Sequence, residues 1–156
     1  MIVRKMEEKD IEAVSATCMA SFLRSVAGTL SEEGISTFSN IAASNAFLDR
    51  MKADNLMLVA EKDGKIEGVI ELKEGRHVAM LFINPEFQKQ GIGGKLLSTA
   101  LNHAKAETVT VSASLSSVHA YEKYGFECKG ETGESAGLVY QPMVLKLNKA
   151  IHTTSA

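Results

Sequence analysis

Residues 77–106 read HVAMLFINPEFQKQGIGGKLLSTALNHAKA, and this stretch decides the fold. Val78 to Ile83 is an unbroken apolar run, the pattern of a strand buried on both faces, and Asn84-Pro85 ends it because proline cannot donate to a ladder. Downstream of Gly91, residues Ile92, Leu96, Leu97, Ala100, Leu101 and Ala104 recur at helical spacing. Between strand and helix lies Gln88-Lys89-Gln90-Gly91-Ile92-Gly93-Gly94. Glycines there remove the Cβ atoms that would keep a ligand from the backbone, so successive N–H groups and the helix dipole converge on an anion. A phosphate-binding turn is expected. A Walker A loop would need Gly at Lys89 and Ser or Thr at Leu96, and a Rossmann fingerprint would need Gly or Ala at Leu96, so neither fits.

Around this unit the chain reads as a meander. Residues 1–6 suit a short strand, and a helix starts near Asp10, with apolar Ile11, Val14, Cys18, Phe22 and Leu23 recurring at helical spacing and Gly28 as its stop. Ser31 is placed to cap a second helix buried through Ile35, Phe38 and Ile41, and a third helical piece is expected around residues 46–51. Asp63-Gly64, between strands 56–62 and 65–74, is the signal of a type I′ hairpin. In the second of these strands alternation puts Ile66, Gly68, Ile70 and Leu72 on one face. Residues 108–113, TVTVSA, are strand-like and are reached by a helical crossover, so they should lie parallel to 78–83. Two parallel neighbours in an otherwise antiparallel sheet can splay at their C-terminal ends and admit a cofactor. A short helix over about 116–124 closes on Gly125, and the last strand, 140–147, is expected at an edge or a bulge because of Pro142.

Composition sets limits on function. The chain of 156 residues carries a net charge of −2, with no basic excess, so neither nucleic acid nor an anionic membrane is an expected partner. No apolar run approaches a membrane span, the N-terminus lacks a signal-peptide core, and a cytoplasmic location is expected. Cys18 and Cys128 lack metal-type spacing and read as small buried hydrophobes, with no metal site expected. One domain over residues 1–148 followed by a flexible tail, 149–156, is the simplest organisation.

Gln-x-x-Gly-x-Gly after an apolar strand resembles motif A of the GCN5-related N-acetyltransferase (GNAT) superfamily. Residues 111–126, VSASLSSVHAYEKYGF, resemble its motif B, with Tyr121-Glu122-Lys123-Tyr124-Gly125-Phe126 matching Tyr-Glu-Lys-x-Gly-Phe. The resemblance implies an α+β, α/β-sandwich fold: a GNAT-like mixed, mostly antiparallel sheet with a parallel central strand pair splayed for the cofactor and flanked by helices. It implies acetyl-CoA as co-substrate, held by Leu81, Phe82 and Ile83, by the turn Gln88, Lys89, Gln90, Gly91, Ile92, Gly93, Gly94 and Lys95, and by Ser114, Ser117 and Tyr121. Ser114 departs from the family, which often has Asn there as a contact to the pantetheine arm.

The implied activity is acetyl transfer to a primary amine of a small molecule or peptide by direct attack. Tyr121 would be the general acid that protonates the leaving thiolate. His77, at the start of the central strand, is a candidate base with an imidazole suited to neutral pH, and Glu71 is the alternative base. The acceptor would be recognised between Ser21 and Asp54, and Glu32, Glu33, Glu67, Glu71 and Glu74 could meet a cationic amine. A non-catalytic acyl-CoA-binding or regulatory module of the same fold is the alternative, and a homodimer through the Pro-bearing last strand is left open.

Overall fold

The computed structural model describes residues 1–25, 28, 30–88 and 90–147. Strand β1 (Ile2–Lys5) is followed by helices α1 (Ile11–Ser25), α2 (Glu32–Ile41) and α3 (Ser44–Met51). The meander is β2 (Asn55–Lys62), β3 (Lys65–Lys73) and β4 (His77–Ile83), and α4 (Ile92–Leu101) crosses to β5 (Thr108–Ala113). Helix α5 (Val118–Lys123) leads into β6 (Glu127–Cys128), β7 (Gly133–Ser135) and β8 (Leu138–Lys146). The strand order is β1-β2-β3-β4-β5-β8-β6, with β7 also on β8. Among the described strands only the β4–β5 pairing is parallel; the rest are antiparallel. This is the mixed, three-layer α+β arrangement the sequence implies. No described helix is long and apolar enough to cross a membrane.

The local signals act as read. Asp63 and Gly64 take φ of 52° and 78°, as a type I′ turn requires. Ser31 caps α2 by accepting from Gly34 N–H at 3.2 Å. Gly125, at φ 102°, ends α5. The sheet buries both faces. On one, Ile70, Leu72, Val109 and Met143 pack against Leu96 and Leu97 of α4. On the other, Val59 and Val69 pack against Val14, Cys18 and Phe22 of α1, Phe38 of α2 and Phe47 of α3.

Four expectations are corrected. First, Gly68 pairs with Ala60 but Ile66 with Glu61, so Glu67 is an extra residue in β3. That bulge reverses the alternation, and Ile66 packs with the α1–α3 face rather than beside Ile70 and Leu72. Second, β8 is an interior strand, in register with β5 from Thr108–Lys146 to Ala113–Gln141 and paired with β6 and β7 on its other side. Pro142 carbonyl accepts Lys129 N–H at 2.9 Å, so its missing N–H falls on the same side, where β6 has ended at Cys128 and β7 has not begun. Third, Cys18 is buried but Cys128 is exposed. Fourth, Glu71, named above among the carboxylates that could meet a cationic amine, is withdrawn from solvent: it is 1% exposed. The segment expected to be a tail lies outside the described residues.

The splay has a visible cause. β4 pairs with β5 only at His77–Thr110 and Val78–Val111. Across the other flank, Leu72 pairs with Val78 but Glu71 with Met80, which makes Ala79 an extra residue in β4. A bulge bends and twists its strand. Placed directly after the last contact with β5, it turns the second half of β4 away and leaves a wedge between the strands.

Candidate active site

Two adjoining hollows occupy the wedge. The first, about 380 Å³, lies between the glycine turn and α5 and is bounded by Gln88, Gly91, Gly93, Ser116 and Tyr124. The second, about 530 Å³, runs between the parted strands and under α2 and the β7–β8 turn. Leu81, Phe82, Ser117 and Tyr121 line both, so the hollows meet at the wedge.

Each glycine of the turn has its own role. Gly91 is the N-cap of α4 at φ 79°, a left-handed conformation that favours glycine, and a Cβ built on it would meet nothing within 4 Å. The backbone is therefore open to a ligand at the helix end whose first N–H groups lack intrahelical partners. Gly93 serves packing: a Cβ there would lie 2.6 Å from the Tyr124 hydroxyl. Gly94 also lies against the Tyr124 ring. Of the other residues assigned to the cofactor, Gln88 lines the first hollow and Ile92 lines it while burying its side chain in the core. Gln90 and Lys95 are exposed beside the turn, and Lys89 lies outside the described residues.

Tyr121 stands where the hollows meet. It is 7% exposed, with its ring edge-on to Tyr124 at 6.1 Å and to Phe126 at 5.4 Å. Its hydroxyl makes no hydrogen bond to any described residue. Burial, with a smaller contribution from Tyr124, pushes its pKa well above the usual phenol value, so the proton is held at neutral pH. Ser114, at the end of β5, sits 2.7 Å from the Ser117 hydroxyl and 3.4 Å from that of Ser116. Three hydroxyls thus form a polar ledge where an asparagine amide is frequent.

The comparisons agree with this geometry. The family model described as an acetyltransferase (GNAT) domain matches residues 26–147, most of the chain. The chain belongs to the GNAT acetyltransferase family. A GCN5-related N-acetyltransferase structure from Rhodopseudomonas palustris aligns at a TM-score of 0.81 with 24% identity, covering 94% of this chain and 95% of that one. The PaiA N-acetyltransferase of Thermoplasma acidophilum, in complex with coenzyme A, aligns at 0.76 with 22% identity over 93% and 98%. An aminoglycoside 6'-N-acetyltransferase complexed with coenzyme A aligns at 0.71 with 11% identity over 94% and 97%. No curated protein sequence matches significantly. Acetyl-CoA is the co-substrate typical of this family.

Within the GNAT frame, neither candidate base reaches the wedge. His77 sits at the end of β4 that is still paired with β5, its Nδ1 2.7 Å from the Thr110 hydroxyl, and it lines neither hollow. Burial first, then Arg76 and Lys73, lowers its pKa. Glu71 is held by Arg50, whose Nε donates to both carboxylate oxygens at 3.1 Å. Burial outweighs that partner and raises the Glu71 pKa. Arg50 also donates from Nη1 to the Ile41 carbonyl at 2.9 Å, and its guanidinium lies 4.6 Å from the Phe47 ring centroid. This pair ties α3 and the end of α2 to β3.

Some residues of the site carry no local signal in the sequence. Ser135, Ala136 and Tyr140 form part of the second hollow only because β7 and β8 fold back over α2. Thr37 donates to the Ala136 carbonyl at 2.7 Å across that junction. Tyr124 is different: three positions after Tyr121 on one helix, it was within reach of periodicity.

Proposed function

We propose that this chain is an acetyl-CoA-dependent N-acetyltransferase acting on a primary amine of a small molecule or peptide by direct attack. The observation that carries this reading is the protonated Tyr121 hydroxyl, without a hydrogen-bond partner among the described residues, where the two hollows meet. The open backbone at Gly91 would hold the pyrophosphate, with Gln88 and the backbone of residues 92–94 beside it. The parted strands would take the pantetheine arm, and the serine ledge of Ser114 and Ser117 would offer it hydroxyl partners. The co-substrate supplies an acetyl group already activated as a thioester.

Three demands remain for the protein. The carbonyl oxygen that becomes negative needs a preorganised donor, and beyond Val78 β4 has no partner on its β5 side, so a backbone N–H of residues 81–83 that faces away from β3 can provide one. The amine nitrogen forms the C–N bond as the C–S bond breaks, and Tyr121 gives its proton to the departing sulfur. The proton lost by the amine then restores the phenol, directly or through water.

Tyr121→Phe is the test. It should lower kcat by ~10²–10⁴-fold and leave the calorimetric affinity for acetyl-CoA nearly unchanged. An unaltered kcat would remove Tyr121 from the mechanism. The non-catalytic alternative draws on the engaged Ser114 hydroxyl, and it expects binding with no amine-dependent release of thiol.

A further inference from the structure

We infer that the acceptor is an amine with an apolar body and no second charged group, an inference that rests on the transferase reading above. Among the described residues lining the second hollow there is no Asp, Glu, Lys, Arg or His. Its far wall is aromatic and aliphatic: Phe22 stacks on Phe38 at 4.0 Å, Phe82 meets Phe38 edge-on at 5.2 Å, and Ile41, Met80 and Leu138 complete it. The polar side chains present are hydroxyls, and those not assigned to the pantetheine arm, such as Ser135 and Tyr140, can orient an amine but cannot neutralise an additional ion.

The carboxylates available for a polycation are elsewhere. Glu32, Glu33, Glu67, Glu71 and Glu74 line neither hollow of the wedge. Glu71 is the register partner of the lining residue Met80, yet it is 1% exposed and already paired with Arg50. The wall is also fixed in place. Thr37 is bonded to the Ala136 carbonyl, and a methyl group on Gly34 or Gly137 would run into the backbone of the other, so α2 and the β7–β8 turn approach as closely as their backbones allow. An acceptor with a second ammonium, or with a carboxylate, would lose its hydration against this wall without gaining a counter-ion.

The same lining offers a way to manage without His77 or Glu71 as base, neither of which lines the hollows. An alkylamine has a pKa near ~10.4 in water, and an apolar surround favours its neutral, nucleophilic form. Desolvation by the wall does the work that a carboxylate or imidazole would otherwise perform.

Matched pairs test this with the full chain and acetyl-CoA, following thiol release. Pentylamine against cadaverine adds a second ammonium, and phenethylamine against phenylalanine adds a carboxylate. In each pair the singly charged amine should have the higher kcat/KM by about 10²-fold or more, as expected for desolvating an unpaired ion. Ser135→Glu, which sets a carboxylate on the exposed rim of the hollow, should reduce the pentylamine-to-cadaverine ratio by about tenfold. Equal or reversed preferences, or a ratio unmoved by Ser135→Glu, would overturn the inference and leave the transferase reading intact. Calorimetric binding of acetyl-CoA with no thiol release for any amine would defeat the transferase reading, and this inference with it.

Discussion

Gly91 and Gly93, two residues apart, do different things. Gly91 combines φ 79° with empty space where a Cβ would go, whereas Gly93 makes room for Tyr124. Gly91→Asp therefore places a negative charge where the phosphates would lie, in a left-handed conformation that Asp tolerates better than most residues. Affinity for coenzyme A should fall by at least about tenfold with little change in Tm, and calorimetry beside thermal melting would check both. Gly93→Asp would instead push Tyr124, so lost binding in that variant would not distinguish the ligand from packing. His77 gives a second test at this scale. Its folded pKa is lowered, so the neutral ring stabilises the fold above the unfolded value of about 6.5, and that contribution is lost as pH falls through the lower folded value. Its ring resonances should titrate below pH ~6.5, and His77→Gln should flatten the acid-side fall in stability while leaving the pH profile of kcat in place. A changed kcat profile would return His77 to the mechanism.

Among the elements, α2 and α3 share a polar tether to β3 in one side chain. Arg50 joins the Glu71 carboxylate on β3 to the Ile41 carbonyl at the end of α2, so its loss removes that tether and strands a buried acid. Arg50→Met should cost about 2–4 kcal/mol, below the largest values for buried pairs because a quarter of the Arg50 side chain is exposed (25%). Arg50→Met combined with Glu71→Met should recover most of that in denaturant unfolding, since the stranded charge is then gone. A double variant no more stable than the single one would show that the tether, rather than the charge, is what matters. The bulge at Ala79 belongs to the same scale, because it ends the β4–β5 pairing and so opens the wedge.

At the scale of the whole molecule, the site lies between two cores rather than in either. The α4 side holds the turn and Tyr121, the α1–α3 side holds the apolar wall, and the sheet joins them. A ligand spanning the wedge should stabilise the entire fold. At a hundred times its Kd, coenzyme A should add roughly 2.7 kcal/mol, which corresponds to about 5–10 °C in Tm for a chain of this size. Gly91→Asp should abolish that shift, and a shift of equal size in the variant would place the binding site elsewhere.

How much of this was legible in advance follows from the range of each interaction. The sequence by itself determined the strand–turn–helix unit of residues 78–101, the Asp63-Gly64 hairpin, the Ser31 cap and the place of Tyr121, because turn geometry, capping and periodicity are set within a few residues. It also determined the family through two motifs in order. Only the tertiary structure decided that Pro142 lies in an interior strand, that Glu67 and Ala79 are bulged, and that Glu71 is buried against Arg50 while His77 stays at the paired end. These are questions of register and of partners far apart in the chain. A one-residue slip moves every later side chain to the other face, and nothing within a strand's own pattern records which neighbour it will meet.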